Sequence, residues 1–318
     1  MAGHYDSARR VGMLPVKRRR SILPARPLRT RLLRSNSEDS VMKHFVGRWV
    51  IAVFVVAMIQ LQAAPTISWT NNLLKFRDPR LPGGQLEIWY LEAFLGPGAS
   101  QQEWAKSTLR HRTELVSATA DGRELHFRTL VEPALEVFHV VQARADGLDF
   151  SFELSNRGTE ASTVQWFQPA CIRLAAFTGR GQGDYISRSF IYTAAGLTTL
   201  DRLHRTTNAL YLGGQVCLPP WTQSANANPR PIAGDTLANG LIGCFSADNQ
   251  WLLATASDRT HELFEGVYVC LHSDPLIGGL KPGETKKLRQ KIYLLPNNPK
   301  ALLRRYHRDF PPRKDGSF

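Results

Sequence analysis

The sequence predicts an all-β protein, a large antiparallel two-sheet sandwich with one short C-terminal helix. Three observations carry this. Leu148, Phe150, Phe152 and Leu154 alternate with Asp149, Ser151, Glu153 and Ser155, and a period of two turns one face to a core and the other to water. Asp121-Gly122 and Asp146-Gly147 each stand between two extended runs, where a tight hairpin turn needs positive φ. Helical periodicity is scarce, whereas short β-rich runs recur with turn residues between them, the pattern of a sandwich or barrel.

In chain order, residues 1–41 come first. They carry ten Lys/Arg against three acids, with Lys17-Arg18-Arg19-Arg20 and prolines at Pro15, Pro24 and Pro27. One-signed charge and low hydrophobicity cannot nucleate a core, so this segment is expected to be disordered, an upstream extension ahead of a true start at Met42. A twin-arginine signal at Arg19-Arg20-Ser21-Ile22-Leu23 lacks its context, because Pro24, Arg26 and Pro27 follow where an apolar region should begin. Residues 42–63 have the order of a signal peptide: basic Lys43 and Arg48, an apolar run over 49–59, then Ala63-Ala64 ahead of Pro65. The apolar run falls short of the roughly 20 residues that cross a bilayer. A periplasmic or secreted protein is expected, meeting the membrane only through its leader during export. The alternative is a product tethered by an uncleaved leader.

The formal net charge is +13, of which residues 1–41 supply +7 and the leader +2, leaving +4 for the rest. The basic excess thus belongs to the front of the chain, and the expectation is no nucleic-acid partner.

Residues 64–318 are read as a single β-sandwich domain. Strands are expected at 85–94, at 113–119 and 123–130 around Asp121-Gly122, and at 135–145 and 148–155 around Asp146-Gly147. Further strands are expected at 162–167, 171–177, 190–193, 210–218, 241–246, 251–257, 266–272 and 287–295. Ser100 and Glu103 fit a capping box opening a helix that runs to about Arg110. Near the end Asn298 can cap a helix with Pro299 at its first position. Leu302, Leu303, Tyr306 and Phe310 form its apolar stripe, and Pro311-Pro312 stop it. Residues 219–239 make one long irregular segment, of a length usually kept for function or disorder.

Cys171, Cys217, Cys244 and Cys270 all lie in the exported part. Disulfides, with three possible full pairings, and buried thiols are both open. No C-x-x-C and no Cys/His pair at zinc spacing is present, so no metal and no cofactor are expected.

Standard catalytic signatures are absent: no G-x-S-x-G elbow, no phosphate-binding Gly loop, no dinucleotide fingerprint. His261-Glu262-Leu263-Phe264-Glu265 opens like a zincin motif, but Glu265 stands where the second His is required. Three clusters remain as candidates. His261 with Glu262 or Glu265 could form an acid–base pair in a strand connection over 258–265, although a solvated loop is the favoured reading. Cys270 and His272 share a strand face, and Asp274 two residues on could orient the imidazole as a general base. A structural His before an Asp-Pro turn is the favoured reading there. Trp221, in Pro219-Pro220-Trp221 at the mouth of the irregular segment, is the best single candidate for a ligand contact, because a loop indole can stack on a sugar face.

Two stretches carry a resemblance. Trp166-Phe167-Gln168-Pro169-Ala170-Cys171-Ile172-Arg173 on to Phe177-Thr178-Gly179 is one. Glu262-Leu263-Phe264-Glu265-Gly266-Val267 through Cys270-Leu271-His272-Ser273-Asp274 and Gly279-Leu280-Lys281-Pro282-Gly283-Glu284-Thr285 is the other. Both resemble an uncharacterised family of secreted bacterial β-proteins, with Ala170 standing between Pro169 and Cys171 as a departure from the expected pattern. In fold type the strand series is similar to the galactose-mutarotase-like supersandwich, whose members bind or transform carbohydrates. That resemblance implies an exported, carbohydrate-associated protein. Trp221 would stack on a sugar, and Arg173, His261 and His272 would bond hydroxyls or a uronate carboxylate. An enzyme of epimerase or polysaccharide lyase type is the second expectation, with His261 or His272 as base and Glu262 or Glu265 as acid. A structural or protein-interaction module of the envelope is the third.

Overall fold

The computed structural model describes residues 64–313, so the expected upstream extension (1–41) and expected signal peptide (42–63) lie outside the described residues. Strands dominate, in the order β1 (Thr66–Thr70), β2 (Leu73–Arg77), β3 (Gln85–Leu95), β4 (His111–Ala118), β5 (Glu124–Val131) and β6 (Leu135–Arg144). β7 (Gly147–Asn156), β8 (Trp166–Arg173), β9 (Ser189–Thr193), β10 (Gly196–Thr199), β11 (Gln215–Cys217) and β12 (Ile232–Ala233) follow. The last five are β13 (Leu237–Phe245), β14 (Trp251–Ser257), β15 (Thr260–Gly266), β16 (Cys270–Pro275) and β17 (Thr285–Pro296).

They form two sheets, ordered β1-β2-β3-β8-β16-β15-β11-β12 and β10-β9-β13-β14-β17-β7-β6-β5-β4. The strand pairs are antiparallel except β11 with β12. The expected all-β two-sheet sandwich is therefore what the chain builds. Its main core lies between the sheets: Ile88, Tyr90, Phe94, Phe167, Ile172, Leu263 and Leu271 meet Phe127, Val137, Phe150, Phe152, Ile242, Leu253 and Ile292. The alternating residues Leu148, Phe150, Phe152 and Leu154 all belong to it.

The second sheet would leave an apolar outer face at Phe190, Leu241, Leu252 and Tyr293, and Leu302 and Tyr306 of the helix Pro299–Asp309, with Phe310 just after it, cover that face. Each such side chain stabilises by roughly 1.5–3 kcal/mol on burial. Asn298 caps the helix as expected, its side chain accepting from the Ala301 amide at 3.0 Å.

Both Asp-Gly turns are hairpins, and Gly147 at φ +135° has no room for a side chain: a Cβ there would stand 1.9 Å from the Ile292 carbonyl oxygen. The β1–β2 hairpin was not expected. Its turn is Asn71-Asn72, both at positive φ, which Asn tolerates because its short amide side chain can bond locally.

Several expected elements differ. The strands at 162–167 and 171–177 are one strand, β8, followed by a helical turn Ala175–Thr178. Pro169, between the two expected strands, sits at a β-bulge opposite Leu91 and Glu92, where its missing N–H costs no ladder bond. The helix at 100–110 is a single turn, Trp104–Ser107. Beyond it the Leu109 amide bonds the Phe94 carbonyl and the backbone is taken up by the sheet. Only Gln215–Cys217 of the strand at 210–218 forms, because Gly213 and Gly214 bend the backbone with positive φ. Of the expected strand at 266–272, residues 270–272 form the start of β16 and Gly266 ends β15, while 267–269 are the turn between them, with Val269 at φ +55°. The supposed solvated loop over 258–265 is mostly β15, and its His261, Glu262 and Glu265 are buried. All four cysteines are buried free thiols.

Candidate functional site

The outer face of the first sheet carries a cavity of about 330 Å³. Its floor comes from β3, β8, β15 and β16; Trp104, Tyr211, Asn228, Arg230 and Tyr268 rise around it. A larger depression of about 760 Å³ lies at the β4–β5–β6 edge, but its Arg128 and Arg157 are both paired with Glu136. The smaller cavity is where fully buried titratable groups converge, Cys171, Cys270 and His272.

Local sequence explains the convergence. On β16 the period of two sends Leu271 into the inter-sheet core and leaves Cys270 and His272 on the cavity face. Cys270 Sγ and His272 Nε2 are 3.5 Å apart. β16 pairs with β8 so that Cys270 faces Arg173 and Leu271 faces Ile172, which sets His272 opposite Cys171. Gly266 closes the corner, since a Cβ there would stand 2.5 Å from Cys270 Sγ.

Glu92 arrives by a bulge. Strict alternation from Ile88 and Tyr90 would send Glu92 inward and Leu91 outward. Leu91 instead adopts φ +57° and is buried in the core, and Glu92 reaches the cavity. Bulges re-aim side chains in this way. Glu92 Oε2 lies 3.9 Å from His272 Nε2.

Behind His272 lies a buried acidic layer. His272 Nδ1 is 3.8 Å from Asp274 Oδ1, while Asp274 Oδ2 accepts from Gln168 at 2.9 Å. Glu262 stands opposite Asp274 across the β15–β16 pair and accepts from the Asn228 amide at 2.9 Å. Glu92 Oε2, Glu262 Oε1, Asp274 Oδ1 and His272 Nδ1 are buried with no hydrogen-bond partner.

The electrostatics follow from burial and crowding. Burial, then the neighbouring Asp274 charge, push Glu262 well above the usual carboxylate range. Burial raises Asp274 to about 7 against the opposing pull of His272. For His272 burial acts to lower the value, but the Cys270 and Asp274 charges outweigh it and carry it to about 9. A shared hydrogen bond holds the Cys270 thiol well below its ordinary value and the Cys171 thiol well above.

Of the residues singled out from sequence, the structure brings together Glu262, His272 and Asp274. His261 is buried away from the cavity lining, stacked on Trp166 at 4.8 Å between ring centroids, and its Nε2–H donates to the Asn226 carbonyl at 3.1 Å. Burial lowers its pKa to about 3, so it is neutral. It lies 3.8 Å from Glu262, but both are sealed from solvent. Glu265 is buried with Tyr185, whose hydroxyl is 2.6 Å from Glu265 Oε1. Arg173 stacks over Tyr268 at 5.3 Å and lines a different depression. Trp221 Nε1 donates to the Thr260 carbonyl at 2.9 Å, and Trp221 does not line the cavity.

The irregular segment over 219–239 instead contributes Asn228 and Arg230. Arg230 Nη1 is bonded to the carbonyls of Leu212 and Gly213, and its guanidinium lies 5.1 Å over the Tyr211 ring. Sequence reasoning missed Arg230, Glu92 and Cys171 as cavity residues. The signal it did hold was the shared face of Cys270 and His272.

No protein-family model matches the sequence, and no curated protein matches it. Among solved structures, the chain is similar to an alpha-N-acetylgalactosaminidase from Bifidobacterium bifidum, with 10% identity over 78% of this chain and a TM-score of 0.43. The chain spans 38% of that protein's length. It is also similar to a galactose mutarotase-like protein from Lactobacillus casei, with 9% identity over 73% of this chain and 100% of that one and a TM-score of 0.37. A third similar structure is a galactose mutarotase-like protein from Clostridium acetobutylicum, with 8% identity, 74% and 99% coverage and a TM-score of 0.38.

Proposed function

We propose that this is an exported, carbohydrate-associated protein that seats a sugar in the cavity over β3, β8, β15 and β16. The observation that carries the reading is the lining itself. Aromatic rings of Trp104, Tyr211, Phe264 and Tyr268 face the same space as Glu92, Asn228 and Arg230. Rings pack on the C–H faces of a pyranose and the polar groups bond its hydroxyls. The volume is at the lower end for small-molecule sites, suited to a mono- or disaccharide. Arg230 is held by backbone carbonyls and adds a cation suited to a uronate carboxylate, because a guanidinium matches a carboxylate in two parallel bonds. Export rests on residues 42–63, and N-terminal sequencing of the mature product tests it.

Titration calorimetry with neutral sugars and uronates tests the cavity. Arg230→Ala weakens uronate binding by about tenfold, equal to about 1.4 kcal/mol, with less effect on neutral sugars. Trp221→Ala leaves affinity unchanged, since Trp221 is outside the cavity. Absence of binding by any sugar would overturn the reading.

One observation favours an enzyme on the same cavity. Glu92 lines the cavity with its side chain 29% exposed, and a carboxylate beside a bound ligand can act as general acid or base. Glu92→Gln then removes turnover in epimerase or lyase assays with little loss of sugar affinity.

A further inference from the structure

Cys171, Cys270 and His272 place two sulfurs and one imidazole nitrogen within 4.8 Å of one another, on one face of β8 and β16. The 3.5 Å between Cys270 Sγ and His272 Nε2 matches the edge of a tetrahedral zinc site. Zn–S near 2.3 Å and Zn–N near 2.0 Å predict about 3.5 Å for that edge. We propose that the protein binds one Zn²⁺ through Cys171, Cys270 and His272, with a fourth position opening onto the cavity beside Glu92.

A second, independent observation points to a cation. Four electron-rich atoms around the trio are buried without partners: Glu92 Oε2, His272 Nδ1, Asp274 Oδ1 and Glu262 Oε1. Buried polar groups left unpaired are expensive. Metal binding at His272 Nε2 resolves three of them. It fixes the imidazole proton on Nδ1, which faces Asp274 Oδ1 at 3.8 Å, and a small ring rotation completes that bond. Asp274 is held from behind by Gln168, so the order carboxylate–histidine–metal, with its outer support, is already built. Glu92 Oε2, 3.9 Å from Nε2 on the metal side, faces the fourth position.

Two thiolates and a neutral imidazole balance the charge of Zn²⁺, and binding releases the thiol protons. A Cys171–Cys270 disulfide fits the register less well. The two residues are diagonal neighbours on the β8–β16 pair, a relationship of about 7–8 Å, whereas disulfides span about 4.4–6.8 Å between Cα atoms. Three protein ligands with an open position are the arrangement of zinc sites that act on a bound molecule rather than only brace a fold.

The inference is independent of the sugar reading, because its test uses the metal alone. The intact protein is purified without chelator, its zinc measured, and the zinc-free reduced form titrated with Zn²⁺ and with Co²⁺. One equivalent of Zn²⁺ is expected, with a thiolate-to-cobalt charge-transfer band and a raised Tm on metal addition. Cys171→Ser and His272→Gln each weaken binding at least tenfold, and Asp274→Asn, which touches no metal, weakens it about 10- to 100-fold. Cys217→Ala, at a buried thiol outside the cavity lining, keeps full stoichiometry. A wild-type protein that takes up no Zn²⁺, or a cobalt adduct lacking the thiolate band, overturns the site. So does a Cys171–Cys270 disulfide found in the exported product.

Discussion

Leu91 and Glu92 have exchanged faces of β3: Leu91, at φ +57°, is 1% exposed in the inter-sheet core, and Glu92 stands in the cavity 3.9 Å from His272. A left-handed conformation costs a non-glycine residue about 1–2 kcal/mol, so burial of the Leu91 side chain must outweigh it.

This strain inverts a usual ranking. Truncating a buried Leu to Ala costs about 2–5 kcal/mol, and Gly in a strand is normally worse than Ala. At Leu91 glycine also removes the strain. Leu91→Gly is therefore expected to be more stable than Leu91→Ala by about 1 kcal/mol, with both below wild type. Denaturant titration of the two variants checks it, and an Ala variant equal to or above the Gly variant would show that the bulge is not left-handed.

Glu265 separates structure from catalysis. Burial, only partly offset by the Tyr185 hydrogen bond, raises its pKa, and a neutral amide can occupy the same place. Glu265→Gln is expected to change stability by less than about 1 kcal/mol, whereas Glu265→Ala leaves a buried cavity and removes one of the three acceptors of the Tyr185 hydroxyl, the Gly266 and Cys270 carbonyls remaining, and costs about 1–3 kcal/mol. If Glu265→Gln instead abolished a sugar-directed activity at unchanged Tm, Glu265 would belong to the site.

Acid stability is set in part by two histidines. His139 is buried between Phe127 and Phe152, with Nδ1 2.6 Å from the Tyr90 hydroxyl and Nε2 2.8 Å from the Thr129 hydroxyl. Burial lowers both His139 and His261 to about 3. An unfolded histidine titrates near 6.5, so between those values the unfolded chain binds protons that the folded one refuses. Their contribution is complete above about pH 6.5 and is lost as pH falls toward 3, at about 1.4 kcal/mol per pH unit for each. His139→Gln is expected to reduce the slope of stability against pH by about that amount, read from urea denaturation between about pH 4 and 6. An unchanged slope would show that His139 accepts a proton without unfolding.

Much of the architecture was legible in the sequence because it is local. The alternation of Leu148 to Ser155, the Asp-Gly turns and the Asn298-Pro299 helix start each depend on residues within a few positions of one another. Errors came where a distant strand overrode a local signal. Pro169 is tolerated only because Leu91 and Glu92, far back in the chain, bulge opposite it. The charged run from His261 to Glu265 is buried only because Trp166, Asn228 and Tyr185 supply partners.

The amino-acid sequence by itself determined the sandwich class, its two Asp-Gly hairpins, the capped final helix and the shared face of Cys270 and His272. All of these follow from backbone periodicity and turn chemistry. Only the tertiary structure decided the site. The pairing of β8 with β16 sets Cys171 opposite His272, and a bulge in β3 delivers Glu92. The physical reason is that strand register and bulges are settled by packing between segments remote in sequence, so no local pattern encodes which side chains share a face of the finished sheet.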